Sequence, residues 1–230
     1  MPRLRRTLAL TRNSPETSIR SAEYGISHLV VHSGKLESSS RASKGIYEVR
    51  WHGRGGQGAI TSAQILAEAA FYAGYRGVTS APYFGAERRG APVTATTRFS
   101  PEPIRVYSEV ETPDVVLVLD ESLLTIADAA QGLDEGGWLI VNTPRRPDEV
   151  CPGSAFGVAT ANATRVAQEV DLTVAGVTVV NTPILGAFLR ATGLLTLDSV
   201  WQAIEGRFSA ADAEKNFRAV QLTFERTLVQ

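Results

Sequence analysis

The sequence predicts an α/β protein, a three-layer α/β/α arrangement around a mixed, mainly parallel sheet. Strand-like segments alternate along the chain with segments of helical periodicity, which is the pattern of a layered α/β domain. A continuous aliphatic run at residues 115–119 is typical of a strand buried on both faces of a parallel sheet. A Val- and Thr-rich strand at Pro92–Phe99 follows a loop instead of a helical crossover, so we expect at least one antiparallel strand.

The first half of the predicted fold lies between residues 46 and 99. Residues 46–51 alternate in polarity before a glycine cluster and predict the first strand. Apolar residues then recur at helical spacing from Ala59 to Ala73, and Gly74 ends that helix. The remaining elements predicted here are a second strand at Tyr75–Thr79, a loop at residues 80–91 and the strand at Pro92–Phe99.

The second half is predicted to alternate buried strands with helices. The strands are expected at Asp114–Leu119, Trp138–Val141 and Val177–Asn181. Asn162 is a residue type that caps helices at their N-termini, so a helix is expected to begin there and to reach Val170. Three further helices are predicted, at Leu185–Thr192, Leu197–Phe208 and Ala210–Leu228.

Composition excludes several classes of protein. The chain has 230 residues, 43% hydrophobic and 20% charged, which is enough apolar material for a sizeable core and excludes global disorder. Its net charge of -1 gives no indication of a nucleic-acid or membrane partner. The single cysteine, Cys151, cannot form an internal disulfide or supply the ligands of an iron–sulfur cluster. No apolar run approaches the roughly 20 residues that span a bilayer, so we expect a cytoplasmic protein.

Charge divides the chain into two predicted regions. Residues 1–44 contain eight basic and three acidic residues and are rich in Ser and Arg, whereas residues 45–230 carry a net charge of −6 and the α/β pattern. We interpret residues 1–44 as an N-terminal extension outside the folded domain. A targeting segment and a start upstream of the true one are the two alternatives.

A glycine-rich loop joins the first predicted strand to the first helix. It satisfies the pattern G-x-G-x-x-G, which makes it Rossmann-like. Glycines permit close backbone approach, and the N-terminus of the following helix offers N–H groups to a phosphate or carboxylate. The predicted cofactor-binding residues are Gly53, Arg54, Gly55, Gly56, Gln57 and Gly58.

Neither of two common nucleotide sites accounts for this loop. An NAD site needs an acidic residue about 20 residues further on, at the end of the second strand, but residues 79–83 contain no acid and the next one is Glu87, inside the following loop. The Walker pattern needs Gly-Lys-Ser/Thr, which does not follow. The remaining alternatives are an anion cradle and a tight turn that only packs the strand against the helix.

The second loop, residues 80–91, combines aromatic, charged, Gly and Pro residues. Arginine is suited to bidentate contact with carboxylate or phosphate, and aromatic residues and arginine are enriched in interfaces. Loops at the carboxyl ends of parallel strands meet at one edge of the sheet, so we expect this loop to lie beside the glycine loop. The residues predicted to contact a partner or ligand are Tyr83, Phe84, Glu87, Arg88 and Arg89.

Motifs throughout the folded region resemble one family. The segments are Tyr47–Gly58 with its HGRGGQG motif, Gly85–Val93 (GAERRGAPV), Asn181–Ala187 (NTPILGA), Thr192–Leu194 and Ala213–Asn216 (AEKN). They are similar to the gamma subunit of 2-oxoacid:ferredoxin oxidoreductases, with the pyruvate enzyme as the nearest example. The resemblance extends over about residues 46–228 and leaves residues 1–44 outside.

The resemblance implies a multi-subunit enzyme that oxidatively decarboxylates a 2-oxoacid with coenzyme A. The products are acyl-CoA and CO2, and the electrons pass to ferredoxin. Thiamine diphosphate and the iron–sulfur clusters are implied to lie in partner subunits, namely alpha, beta and delta, leaving none on this chain and no catalytic or metal-binding residue. The role that remains for this chain is assembly with alpha and beta, and the chemistry of its two loops adds a part in the coenzyme A access region. The alternative is a stand-alone regulatory module that binds a nucleotide or coenzyme A.

Overall fold

Seven strands form one sheet in the structure, a computed structural model that describes residues 45–83, 90–106, 108–174 and 176–230. The sheet has the order β2-β3-β1-β4-β5-β6-β9. Its strands are β1 (Tyr47–Arg54), β2 (Gly77–Tyr83), β3 (Pro92–Ser100), β4 (Val115–Val118), β5 (Trp138–Asn142), β6 (Gly157–Ala161) and β9 (Leu228–Val229). A separate two-stranded hairpin comprises β7 (Thr173–Val174) and β8 (Val177–Thr178).

The sheet is mixed. β1 pairs parallel to β4, β4 to β5, and β5 to β6, whereas β3 is antiparallel to both β1 and β2 and β9 is antiparallel to β6. The predicted antiparallel β3 is thus confirmed, and its physical basis is that a short β2–β3 connection cannot return the chain for a parallel strand.

Helices cover both faces of the sheet. The seven helices of the described residues are α1 (Ala59–Tyr72), α2 (Leu123–Ile126), α3 (Pro147–Val150), α4 (Ala163–Glu169), α5 (Pro183–Thr192), α6 (Leu197–Glu205) and α7 (Ala210–Arg226). The larger core joins buried residues of α1, α5, α6 and α7 to one face. In the described part of the chain, the other face, which includes Val116 and Val141, packs against the short α2 and α3 and the loops that flank them. The predicted three layers are therefore present but unequal.

Successive side chains of the central strands alternate between the two faces of the sheet, so each strand contributes residues to both cores. Leu117 and Ile140 belong to the larger core, while their neighbours Val116 and Val118 belong to the smaller one. Because successive side chains of a strand point to opposite faces, a continuous aliphatic run is what such a doubly covered strand requires.

Some predicted boundaries were wrong. The expected buried strand at Val177–Asn181 is wrong: only Val177–Thr178 is strand, the second strand of a short hairpin, and Val177 is exposed. β2 begins later than predicted and continues to Tyr83, so the first four residues of the expected 80–91 loop are strand. The final helix ends at Arg226, and the residues after it pair with β6 as β9.

Within the described residues, no helix has both the length and the apolar character needed to cross a membrane.

Candidate functional site

The candidate site lies where the strand order reverses. From β1 the chain continues to β2 and β3 on one side, and then crosses to β4 on the other. In open α/β sheets, ligands bind in the crevice at the carboxyl ends of the strands at such a reversal. The glycine loop follows β1, and Asp120 lies just beyond the end of β4, so both lie at this crevice.

The glycine loop is a tight turn that leads directly into α1. Gly53 and Arg54 are the last residues of β1, and the Gln57 N–H donates to the Arg54 carbonyl at 2.9 Å. Gly58 is the N-cap of α1 with φ of 85°, a conformation that favours glycine. It provides no side-chain cap, and the first turn of α1 has no acidic residue. The first N–H groups of α1 therefore lack the capping acceptor that many helices have.

The glycines of the loop have two different structural roles. A Cβ on Gly53 would lie 2.9 Å from the Cβ of Ala59, and a Cβ on Gly58 would lie 2.8 Å from the Cβ of Asn181. These two glycines permit close packing of the helix on the strand and on the segment before α5. Gly56 differs, because its φ is +98° and a Cβ there would meet nothing within 4 Å.

A groove of about 880 Å³ borders this loop. On one side lie the glycine loop and the first turn of α1; on the other lie valines of the β7–β8 region, Val174, Val177 and Val179. Val174 and Val177 are exposed. The groove thus combines backbone N–H groups at one wall with apolar side chains at the other, and Asn181 completes its lining.

Arg54 is held by two neighbouring segments, the loop after β4 and the residues before β3. Its Nε donates to Asp120 Oδ2 at 2.9 Å, its Nη1 to the Gly90 carbonyl at 3.0 Å, and its Nη2 to Ser122 Oγ at 2.7 Å. The guanidinium is therefore already paired with a carboxylate, which reduces the positive charge it presents to a ligand.

The two predicted loops do lie side by side at their described ends. The Gly55 N–H donates to the Ala91 carbonyl at 2.9 Å, and the Gly90 N–H donates to the Gly55 carbonyl at 3.1 Å. Tyr83, at the end of β2, accepts a hydrogen bond on its hydroxyl from the Val110 N–H at 3.1 Å. The other residues predicted for the partner or ligand loop, Phe84, Glu87, Arg88 and Arg89, lie outside the described residues.

Sequence reasoning missed two residues of the site, Asp120 and Asn181. A carboxylate directly after a buried parallel strand was the available signal for Asp120, since strand ends carry ligand-contacting residues. No local signal could identify Asn181 as the residue against Gly58, because the contact joins segments that are 123 positions apart in the chain.

His52, also within the predicted motif, is buried on the sheet face opposite Trp51. Its Nε2 has no hydrogen-bond partner among the described groups. Burial and the nearby Arg50 charge lower the pKa of His52 from 6.5 to about 4. The imidazole is therefore neutral at physiological pH and suited to packing rather than to holding an anion.

This buried histidine predicts an acid-sensitive stability. The unfolded chain binds more protons at His52 than the folded chain between pH 6.5 and about pH 4, so stability falls as the pH falls through that window. The shift corresponds to a loss of about 3 kcal/mol over the full window. Denaturant unfolding near pH 7 and near pH 4.5 should show a clearly smaller acid-induced loss for His52→Gln than for the natural chain. An equal loss in both proteins would contradict the prediction.

Cys151 shows no sign of a reactive thiol. It is half-buried at the end of α3, and burial raises its pKa against the lowering effect of Arg145. A thiol with a raised pKa is a poor nucleophile. In the described part of the chain, no group of three or more His, Cys, Asp or Glu side chains is arranged to hold a metal ion.

Comparison with known proteins identifies relatives over most of the chain. The family model described as pyruvate ferredoxin/flavodoxin oxidoreductase matches residues 48–226. The common subunit gamma of the pyruvate/ketoisovalerate oxidoreductases of Thermococcus litoralis is 48% identical over 185 residues, covering 79% of this chain and 97% of the relative.

Solved structures agree with the fold. The pyruvate oxidoreductase subunit PORC of Thermotoga maritima has a TM-score of 0.69 at 37% identity, covering 80% of this chain and 98% of that one. A 2-oxoglutarate:ferredoxin oxidoreductase from Magnetococcus marinus, solved with 2-oxoglutarate, coenzyme A and succinyl-CoA, has a TM-score of 0.60 at 20% identity. It is matched over 78% of this chain and 31% of that longer chain, and at this identity the likeness concerns the fold alone.

Proposed function

This chain belongs to the pyruvate ferredoxin/flavodoxin oxidoreductase family, and from that premise we propose that its groove forms part of the coenzyme A access region of the assembled enzyme. The chain is the gamma subunit of a 2-oxoacid:ferredoxin oxidoreductase. The enzyme converts a 2-oxoacid and coenzyme A into acyl-CoA and CO2 and passes two electrons to ferredoxin. The alternative of a stand-alone regulatory module has no support among the relatives.

The proposal rests on one observation: the same groove has backbone N–H groups that suit phosphate and apolar side chains that suit a weakly polar chain. Coenzyme A is a long ligand with phosphates at one end and a weakly polar arm at the other. The open backbone at Gly56 and the uncapped start of α1 suit the phosphates. The valines of the opposite wall suit the arm. Because Arg54 is paired with Asp120, the backbone N–H groups, not this guanidinium, provide the main attraction for phosphate.

This chain's part in the reaction is to bind and orient, with the redox steps elsewhere. The family resemblance implies that the iron–sulfur clusters and thiamine diphosphate lie in partner subunits of the alpha, beta and delta type, and the single cysteine of this chain, which cannot ligate a cluster, is consistent with that assignment. Ferredoxin would then contact the complex through those subunits. Arg88 and Arg89 directly precede Gly90 and Ala91, which are hydrogen-bonded to Gly55, and they are our candidate contact for a partner subunit or ligand.

Gly56→Val tests the coenzyme A proposal. A side chain at Gly56 would project into the groove and obstruct phosphate approach to the backbone. In the assembled enzyme, we expect the KM for coenzyme A to rise by about tenfold or more, with the KM for the 2-oxoacid nearly unchanged.

Gly74→Val is the matched control for backbone strain. Gly74 has φ of +97°, almost the same as Gly56, and a Cβ there also meets nothing within 4 Å, but it lies at the opposite end of α1. It should lower stability similarly and leave both KM values unchanged. If the two variants have the same effects, or if Gly56→Val changes both KM values equally, the glycine loop is only architectural.

A further inference from the structure

We propose that Asp120 is a positioning residue for the glycine loop: its carboxylate binds the side chains of Arg54 and Gln57 and so fixes the backbone that receives phosphate. This inference rests on the proposed function, because it assigns a support to the same groove. Asp120 itself does not line that groove, so its effect on a ligand must pass through the loop.

The contacts of Asp120 reach both ends of the loop. Oδ2 accepts from Arg54 Nε at 2.9 Å and from Gln57 Nε2 at 3.2 Å. Gln57 in turn accepts on its Oε1 from the Arg54 N–H at 2.7 Å. The three side chains therefore close a ring of hydrogen bonds around the turn, with Asp120 as the only member outside the glycine loop.

The same carboxylate is held in place from its own segment. Oδ1 accepts from the Ser122 N–H at 3.1 Å and from the Ser122 hydroxyl. Ser122 Oγ also accepts from Arg54 Nη2, so Asp120 and Ser122 both form hydrogen bonds with the Arg54 guanidinium. Asp120 thus connects the loop after β4 to the loop after β1.

Arg54 extends this connection to a third segment. Its Nη1 donates to the Gly90 carbonyl, directly before β3, and Gly90 and Ala91 are hydrogen-bonded to Gly55. Releasing the guanidinium would therefore remove contacts on both sides of the glycine turn. Because glycines impose little conformational restraint of their own, a loop with three glycines in four residues depends on such external contacts for a fixed shape.

The Asp120 carboxylate is ionised at neutral pH. Burial alone would raise the pKa of Asp120, but the bonds from Ser122 and Arg54 outweigh it and the pKa lies below its usual value. The two side chains are about three-quarters buried, at 27% and 24% exposure, so the bonds are less screened than at the open surface.

Asp120→Ala in the assembled enzyme tests the inference. We expect the KM for coenzyme A to rise by about tenfold, because small displacements of a positioned binding group cost that order of rate or affinity. The KM for the 2-oxoacid and kcat at saturating coenzyme A should change by less than about twofold. Asp120→Asn, which keeps the size and part of the hydrogen bonding, should have a smaller effect and serves if the alanine variant fails to assemble.

Glu121→Ala is the matched control. The neighbouring Glu121 also forms an ion pair, with Arg145 at 2.6 Å, and accepts from Thr143 at 2.7 Å, so its polar contacts are directed to Thr143 and Arg145 and not to the glycine loop. It should leave the KM for coenzyme A unchanged. A general effect of losing a carboxylate at this edge of the sheet would instead appear in both variants.

The outcomes separate this inference from the proposed function. If Gly56→Val raises the KM for coenzyme A and neither Asp120 variant does, the groove binds coenzyme A and Asp120 is not its support. If none of these variants raises it, the proposed function itself is wrong. If Asp120→Ala and Glu121→Ala change it equally, or if both substrates are affected alike, the effect is structural and the inference is overturned.

Discussion

Replacing Trp51 by alanine is expected to lower the free energy of unfolding by about 3–5 kcal/mol, since the deletion leaves a large cavity in a packed core. Trp51 lies on β1 and is fully buried against the larger core. Its indole N–H donates to Thr97 Oγ1 at 3.1 Å, and the Thr97 hydroxyl donates to the Ala63 carbonyl at 2.8 Å. The variant therefore loses apolar contacts and one link of a buried chain between β1, β3 and α1.

Denaturant unfolding of the purified chain measures this loss, and Trp201→Ala is its control. Trp201 is only partly buried on α6 and stacks edgewise on Phe217, with ring centroids 5.1 Å apart. Its truncation should cost clearly less than that of Trp51. Comparable losses for the two variants would mean that the core around β1 relaxes to fill the cavity.

Gly186→Ala is expected to cost about 3 kcal/mol of stability, the upper part of the range for overpacking a core. Gly186 lies on α5 where that helix crosses α7. A Cβ there would lie 2.2 Å from the Val220 carbonyl oxygen and 2.6 Å from the Phe224 backbone nitrogen. Because both atoms belong to the backbone of α7, the helices must separate to admit one methyl group.

Gly206→Ala provides the comparison in the same unfolding experiment. Gly206 is the C-cap of α6 with φ of −69°, and the nearest atom to an added Cβ, the Gln202 carbonyl oxygen, is 3.4 Å away. This substitution should change stability by less than about 1 kcal/mol, since the conformation is ordinary for alanine. A small effect at Gly186 as well would show that α5 and α7 can move apart at little cost.

Local patterns predicted the elements that carry a strong period. The predicted positions of β4 and α1 are close to the observed ones, because residues 115–119 and Ala59–Ala73 have clear apolar patterns. Asn162 caps α4 as expected, accepting from the Arg165 N–H at 3.0 Å. The family resemblance is confirmed over residues 48–226. β6 and β9 were missed because a short Gly- and Ala-containing strand and a two-residue strand have too few residues to show a period.

In the candidate site, too, local features could be predicted and long-range contacts could not. The glycine motif and its position between β1 and α1 were predictable, because such a turn requires glycines at fixed spacings that can be recognised in the sequence. The pairing of Arg54 with Asp120 was not, since 66 positions separate them and only the parallel pairing of β1 with β4 brings their carboxyl ends together. The assignment of residues 1–44 as an extension stays a prediction.

By itself the sequence determined the α/β class, the strand–glycine loop–helix unit and the family, because periodicity, glycine placement and motif order are properties of neighbouring residues. Tertiary structure alone decided which of Gly53, Gly56 and Gly58 has open space beside its Cα. Gly53 and Gly58 are closed off by Ala59 and Asn181, and Gly56 is open. That distinction depends on which distant side chain packs over each Cα, and long-range packing has no local signature in the chain.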